Sequence, residues 1–273
     1  MVQTFFDLKS THNPHRWYLP LDISLCVGAG AHSFMYGGIG LASSIAALER
    51  TCDRPVIWAT AQYLSYARPG SVVDLDVWTP VEGRHTTQAR VIAHVGDKEI
   101  LTVNAALGSR ASTESHQWPV APDMPAPDAC EPARLWPDEG PNLNSRLDIR
   151  VAQGRFGSGP RIGKISEDGR LVIWIRTIED APIDASMLAV FADYVPSGIG
   201  AALGRMGGGT SLDNTLRICR IVPTRWVMCD IRISAIHGGF AHGSGHLFAE
   251  TGELMAIASQ SVILRMRGER KDA

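Results

Sequence analysis

Residues 27–49 read "VGAGAHSFMYGGIGLASSIAALE". An alternating apolar run, "WYLPLDISLCV" (17–27), leads into them. Gly28 and Gly30 form Gly-x-Gly, which alone suggests a dinucleotide-binding turn. That fingerprint needs a third glycine three residues after the second, and Ser33 stands there. It also needs an acidic residue at the end of the next strand, about 20 residues on. Glu49 lies near that distance but inside a helical pattern, so the dinucleotide reading is disfavoured. The segment "YGGIGLASSIAALERTC" (36–52) reads as a helix. Ile39, Leu41, Ala42, Ile45, Ala46 and Leu48 crowd it with few charges, the pattern of a helix buried on most sides.

Outward from this helix, the chain turns to strands. "VIWATAQYLSYA" (56–67), "SVVDLDVWTPV" (71–81), "TTQARVIAHVG" (86–96) and "KEILTVNAALG" (98–108) are strand-like. Arg68-Pro69-Gly70, Glu82-Gly83-Arg84 and Gly96-Asp97-Lys98 are tight-turn signals between them. Short strands joined by tight turns predict an antiparallel meander. The second half repeats the grammar. "DASMLAVFADYVPSGIGAALGRM" (184–206) reads as helical with a break near Pro196. Strand-like runs follow at 211–222, 225–236, 238–251 and 252–267. Earlier strand segments precede each helix, at 15–27 in the first half and at 147–155 and 170–178 in the second. Between the halves lies the proline-rich "SHQWPVAPDMPAPDACEPARLWPDEGPN" (115–142), a linker rather than a core element. The expected organisation is an N-terminal unit over 1–112, a linker over 113–146 and a C-terminal unit over 147–273. Each unit is expected to be α+β, a curved antiparallel sheet wrapped around one helix.

Composition excludes several classes. The chain of 273 residues is 45% hydrophobic and 20% charged, ordinary for a globular protein. A formal net charge of −2 offers no electrostatic case for nucleic acid. No apolar run long enough to span a membrane is read, and the N-terminus lacks a basic-then-apolar signal pattern. The five cysteines, Cys26, Cys52, Cys130, Cys219 and Cys229, are scattered, which fits a reducing, cytoplasmic compartment and suggests no zinc site. His237, His242 and His246 cluster among glycines and are read as surface-loop residues. "GSG" at 157–159 and at 243–245 both lack the strand-turn-helix pattern of a nucleophile elbow, so a covalent serine mechanism is disfavoured.

Several motifs together resemble one family. "YGGIG" (36–40) is similar to an aromatic-Gly-Gly helix entry, and "YARPG" (66–70) to a hydrophobic-Arg-Pro-Gly turn. "TSLDNT" (210–215) and the closing strand "GELMAIASQSVILR" (252–265) complete the set. In these the chain resembles a double hotdog acyl-CoA thioesterase of the acyl-CoA thioesterase II type. The resemblance implies two tandem hotdog domains, hydrolysis of acyl-CoA to free acid and CoA, and no cofactor. It implies a water held by an Asp, a hydroxyl residue and a Gln, which fall on Asp193, Ser211 and Gln260. The chain departs from the family pattern in Asn214, where a His is usual, in Ser rather than Thr at 211, and over 237–245. Hotdog sheets commonly associate edge to edge, so a homodimer is consistent with the resemblance.

The residues support this unequally. In a strand of period two, Leu254, Ala256, Ala258, Gln260, Val262 and Leu264 share one face, and Gln260 is its polar member. A structural hydrogen bond to backbone would also satisfy that amide. Asp193 lies in apolar "MLAVFADYV", where partial desolvation would make it a stronger base. A solvated Asp at a frayed helix end is the alternative. Ser211 alone reads as a turn residue, and Asp213 is a rival carboxylate. A thioester hydrolase must stabilise an oxyanion, and free N–H groups at a helix start do so. Gly37 and Gly38 are therefore expected to cradle the thioester carbonyl, with a packing role as the alternative. Arg68 and Arg265 are candidates for the phosphates of CoA. Two other functions stay open: a hotdog acyl-thioester hydratase or dehydratase, for which His32 is the nearest acid–base candidate, and a non-catalytic acyl-CoA-binding module.

Overall fold

In the computed structural model, residues 4–133, 140–157, 165–204 and 207–266 are described. In the first half the principal elements are β1 (Arg16–Pro20), α1 (Gly37–Cys52), β2 (Val56–Tyr63), β3 (Val72–Glu82), β4 (Thr86–Val95) and β5 (Lys98–Gly108). The second half contains β6 (Leu147–Gln153), β7 (Arg170–Thr177), α2 (Ala185–Ala192), α3 (Gly198–Leu203), β8 (Gly207–Ser211), β9 (Asp213–Ile218), β10 (Val227–His237), β11 (Phe240–Ala249) and β12 (Leu254–Met266).

These strands form one antiparallel sheet. Its order runs β1-β3-β4-β5-β2 through the first half and β9-β12-β11-β10-β7-β6 through the second, with β8 also paired to β12. The halves meet where β2 pairs with β9, Gln62 opposite Asp213 and Trp58 opposite Arg217. At this seam the Thr60 and Thr215 hydroxyls lie 2.7 Å apart. Each half curls its sheet around a helix, the tandem hotdog arrangement.

The helices are buried as their composition requires. Every residue of α1 from Gly38 to Leu48 is buried, and so are all eight of α2. Asp184 caps α2 by accepting the Met187 N–H at 2.8 Å. A helical stretch, Ala185–Leu203, is long and apolar enough to cross a membrane, contrary to the sequence reading; 83% of that window is buried inside the protein. Its apolarity serves the core between sheet and helix.

Two further expectations are corrected. Residues 15–27 are not one strand: β1 stops at Pro20, and one-turn 3-10 helices follow at Ile23–Leu25 and Gly30–His32. Gly28 and Gly30 sit at φ 85° and 53°, so Gly-x-Gly serves a tightly folded loop. The run 211–222 divides into β8 and β9, because the register against β12 shifts by one residue around Leu212, from Ser211 opposite Val262 to Thr215 opposite Ser259. The proline-rich stretch lies over the outer face of the second half. Trp174 Nε1 donates to the Pro125 carbonyl at 3.0 Å, and the Gln117 side chain clips both Gly252 O and Leu254 N. Residues 205–206 and 267, at the ends of two expected elements, lie outside the described residues.

Candidate active site

Asp193 follows α2 directly and its carboxylate is buried, the residue being 8% exposed. The chain turns there through Val195–Ser197, where Pro196 ends the helical hydrogen bonding and starts the path into α3. Gly243 on β11 makes room for that turn, since a Cβ there would lie 2.9 Å from Val195 Cγ1. A carboxylate in this position needs donors, and three reach it. The Gly38 N–H donates to Oδ2 at 2.7 Å, and Gln260 Nε2 donates to Oδ1 at 2.7 Å. Asn214 Nδ2 approaches Oδ1 at 3.4 Å. Burial raises the Asp193 pKa to about 6, against the pull of these donors, with Gln260 the strongest of them.

Gln260 bridges two groups. Its second N–H donates to Ser211 Oγ at 2.8 Å. Both amide hydrogens are thus engaged, and Oε1 has no partner among the described residues. The alternation predicted for this strand holds from Ala256 to Val262, but a bulge at Met255 turns Leu254 to the other face, where it packs with Trp174 and Trp226. Asp213, the rival carboxylate, accepts the Ser261 N–H at 2.7 Å and does not line the cavity.

Asp193 and Ser211 open onto a cavity of about 350 Å³. Its walls combine Gly37, Tyr63 and Leu101 from the first half with Phe156, Tyr194 and Gly208 from the second. The two halves therefore build one site between them. Gly37 lines the cavity, and its N–H, at the first position of α1, has no acceptor among the described residues. Gly38 is different. Its N–H is held by Asp193, which corrects the expected pair of free donors: Gly38 positions the carboxylate, and of the two only Gly37 keeps an N–H with no acceptor among the described residues. A Cβ on Gly38 would lie 3.0 Å from Val190 Cα, so this glycine also sets the approach of α1 to α2.

Comparison with known proteins accords with this architecture. The model of the acyl-CoA thioesterase C-terminal domain matches residues 127–264, just over half of the chain. A solved structure from Novosphingobium aromaticivorans, described as that of a proposed thioesterase, is 32% identical over 97% of this chain and 100% of that one, with a TM-score of 0.85. The chain belongs to the acyl-CoA thioesterase family. Two more distant structures share the fold of this thioesterase. One is a hot dog fold protein of unknown function from Alicyclobacillus acidocaldarius, 17% identical over 96% of each chain with a TM-score of 0.82. The other is the acyl-CoA thioesterase II TesB2 of Mycobacterium marinum, 21% identical over 96% of this chain and 97% of that one with a TM-score of 0.71. No curated protein matches the chain.

The remaining sequence candidates of the thioesterase fall away from the cavity or at its edge. His32 is exposed and does not line it, so this residue makes no Asp–His pair at the cavity. His237, His242 and His246 lie on β10 and β11, not on loops: Gly238 and Gly239 form the tight turn between the strands, and Gly243 and Gly245 sit within β11. Arg68 donates to the Ala31 and Ser33 carbonyls at 2.9 and 3.0 Å and holds the 28–33 loop. Arg265 stands by Thr210, a cavity residue, at 3.4 Å. Sequence reasoning missed Tyr36, Tyr63 and Tyr194, which surround Asp193. Their phenols are all raised by burial first and by the Asp193 charge next. Tyr194 donates to Asn144 Oδ1 at 3.2 Å, whereas the Tyr36 and Tyr63 hydroxyls are buried with no partner among the described residues. An aromatic residue beside a strand or helix end reads as core; only the orphaned hydroxyls distinguish these two.

Proposed function

We propose that this thioesterase hydrolyses acyl-CoA to free carboxylic acid and CoA by direct attack of one water held by Asp193, Ser211 and Gln260. The observation that carries the reading is the buried Asp193 carboxylate on the cavity wall, tied to Ser211 through the Gln260 amide at 2.7 and 2.8 Å. Ser211 Oγ accepts from Gln260, which leaves its own O–H to donate to the water oxygen. The water in turn donates to Asp193. As the water oxygen adds to the thioester carbon, its proton passes to Asp193 and the carbonyl pair moves onto oxygen. Gly37 N–H, at the positive end of α1, receives that charge. Return of the pair expels the CoA thiolate, which takes the proton that Asp193 gained. Gln260 is a positioning residue for both base and hydroxyl. The five free thiols fit a reducing compartment such as the cytoplasm. We read the chain as two units, 1–112 and 147–273, joined by 113–146.

The test is thiol release from a panel of short to long acyl-CoAs. The protein's own five cysteines require a blank without substrate. Asp193→Asn is expected to lower kcat by about 10²–10⁴-fold, the range for loss of a general base. Full activity in that variant ends this reading.

A further inference from the structure

The oxyanion cradle is one backbone donor short. With Gly38 N–H on Asp193, only Gly37 N–H remains at the start of α1. The tetrahedral intermediate places a full charge on one oxygen, and preorganised donors at that oxygen are usually the largest catalytic contribution. A second donor stands beside Gly37. A Cβ on Gly37 would lie 3.1 Å from Tyr63 Oη and 2.9 Å from Asp193 Oδ2. The phenol, the helix start and the carboxylate thus converge on one patch of cavity wall. Tyr63 lines the cavity, and its buried Oη has no partner of good hydrogen-bond geometry among the described residues, the Asn214 amide being the polar group beside it. A buried hydroxyl without a well-formed partner is costly, and a small turn of this ring on the cavity wall brings it to a carbonyl oxygen entering beside Gly37.

We propose that Tyr63 is a catalytic residue that donates its phenolic O–H to the thioester carbonyl oxygen and, with Gly37 N–H, holds the oxyanion. The proposal rests on the reading of Asp193 as the base. Tyr63 keeps its proton throughout: the charge arrives on the carbonyl oxygen when water attacks and leaves it when the C–S bond breaks. Burial, reinforced by the Asp193 charge, holds the phenol well above its ordinary range, so the donor stays protonated at working pH. The join between β2 and β9 gives it a fixed base, since Tyr63 N donates to Leu212 O at 3.0 Å. Tyr36 is the internal comparison. Its hydroxyl is also unpartnered, but its ring packs over Gly38 and against Tyr194, 5.8 Å between centroids.

The experiment measures kcat and KM against pH for the full chain and for Tyr63→Phe, Tyr36→Phe and Asp193→Asn, with thermal unfolding of each. Tyr63→Phe is expected to lower kcat by about 10²–10³-fold. KM and the acidic limb of kcat/KM should stay in place, and Tyr36→Phe should fall much less. Activity of Tyr63→Phe within threefold of the parent (about a factor of 3 being far below one lost donor) overturns the proposal. So does a kcat loss accompanied by a moved acidic limb, which would make Tyr63 a positioning residue acting through Asn214 and Asp193. If Tyr63→Phe proves unstable, Tyr63→His, which retains a donor, should recover more kcat than Tyr63→Leu; equal rates in those two variants also overturn it. Full activity in Asp193→Asn would instead remove the reading beneath it, whatever Tyr63→Phe does.

Discussion

The backbone N–H of Gly38 ends on Oδ2 of Asp193, 2.7 Å away and 155 positions along the chain. Gly38 belongs to the helix of the first half and Asp193 to the end of the helix of the second. This one bond makes the carboxylate's position depend on how the two helices pack. Neither half can hold the site alone, since the donors Gly38 and Gln260 come from opposite sides of the seam.

Gly38→Ala should therefore be doubly damaging. The new Cβ would meet Tyr36 Cε1 at 2.8 Å and both Asp193 Cβ and Val190 Cα at 3.0 Å. Val190 Cα is backbone, so α1 and α2 must part, and overpacking of this kind costs about 1–3 kcal/mol. Gly40→Ala meets only the ends of the Leu101 and Met35 side chains, and it gains about 1 kcal/mol of helix propensity. Denaturant unfolding should rank Gly38→Ala as the less stable, and initial rates should show it as the less active. The reverse order would mean that the helices do not set the position of Asp193.

The pH dependence follows from burial. Asp193 titrates at about 6, so its base form is lost below that pH. The kcat/KM profile should carry an acidic limb near 6, falling about tenfold per unit. Asn214→Leu removes a donor that favours the carboxylate. Its limb should move to higher pH. A shift to lower pH, or none, would place Asn214 outside the electrostatics of the base.

The same raised pKa has a cost in stability. Folded Asp193 binds its proton more tightly than the unfolded residue at 3.8, so stability is lost as pH rises from about 4 to 6. The loss at neutral pH is roughly 3 kcal/mol at 1.36 kcal/mol per unit. Asp193→Asn has nothing to titrate. The difference in unfolding free energy between parent and variant should change in the parent's disfavour across that window. A difference that is flat from pH 4 to 7 would show a carboxylate solvated in the folded state.

Much of this architecture was readable before any coordinates. The buried helix at 37–52 and the meander from 56 to 108 follow from apolar periodicity and turn residues, which act locally. Gln260 stood out as a polar residue in an apolar row. The bulge at Met255 did not, because an extra residue leaves no mark on composition. Gly207–Ser211 escaped as a strand for a related reason: glycines carry no side chains with which to alternate. The role of Gly38 was invisible, since helix-start glycines look alike until a distant carboxylate is placed against one. Tyr63 carries no mark of its own in the strand-like run 56–67, where Trp58 and Ala61 are its neighbours.

Ser211 offers the final check on the bridge through Gln260. Its Oγ accepts one Gln260 N–H, and the other goes to Asp193. Ser211→Ala removes the acceptor and the hydroxyl that would orient water, leaving a part-buried amide hydrogen unpaired. That should cost about 1–3 kcal/mol in stability and reduce kcat by roughly 10–10²-fold, the latter being a weaker effect than loss of the base itself. Ser211→Thr keeps the hydroxyl and should retain most of the activity. Acid release measured on one acyl-CoA for all three proteins decides it. Equal rates in the alanine and threonine variants would remove Ser211 from the chemistry and leave Gln260 holding Asp193 alone.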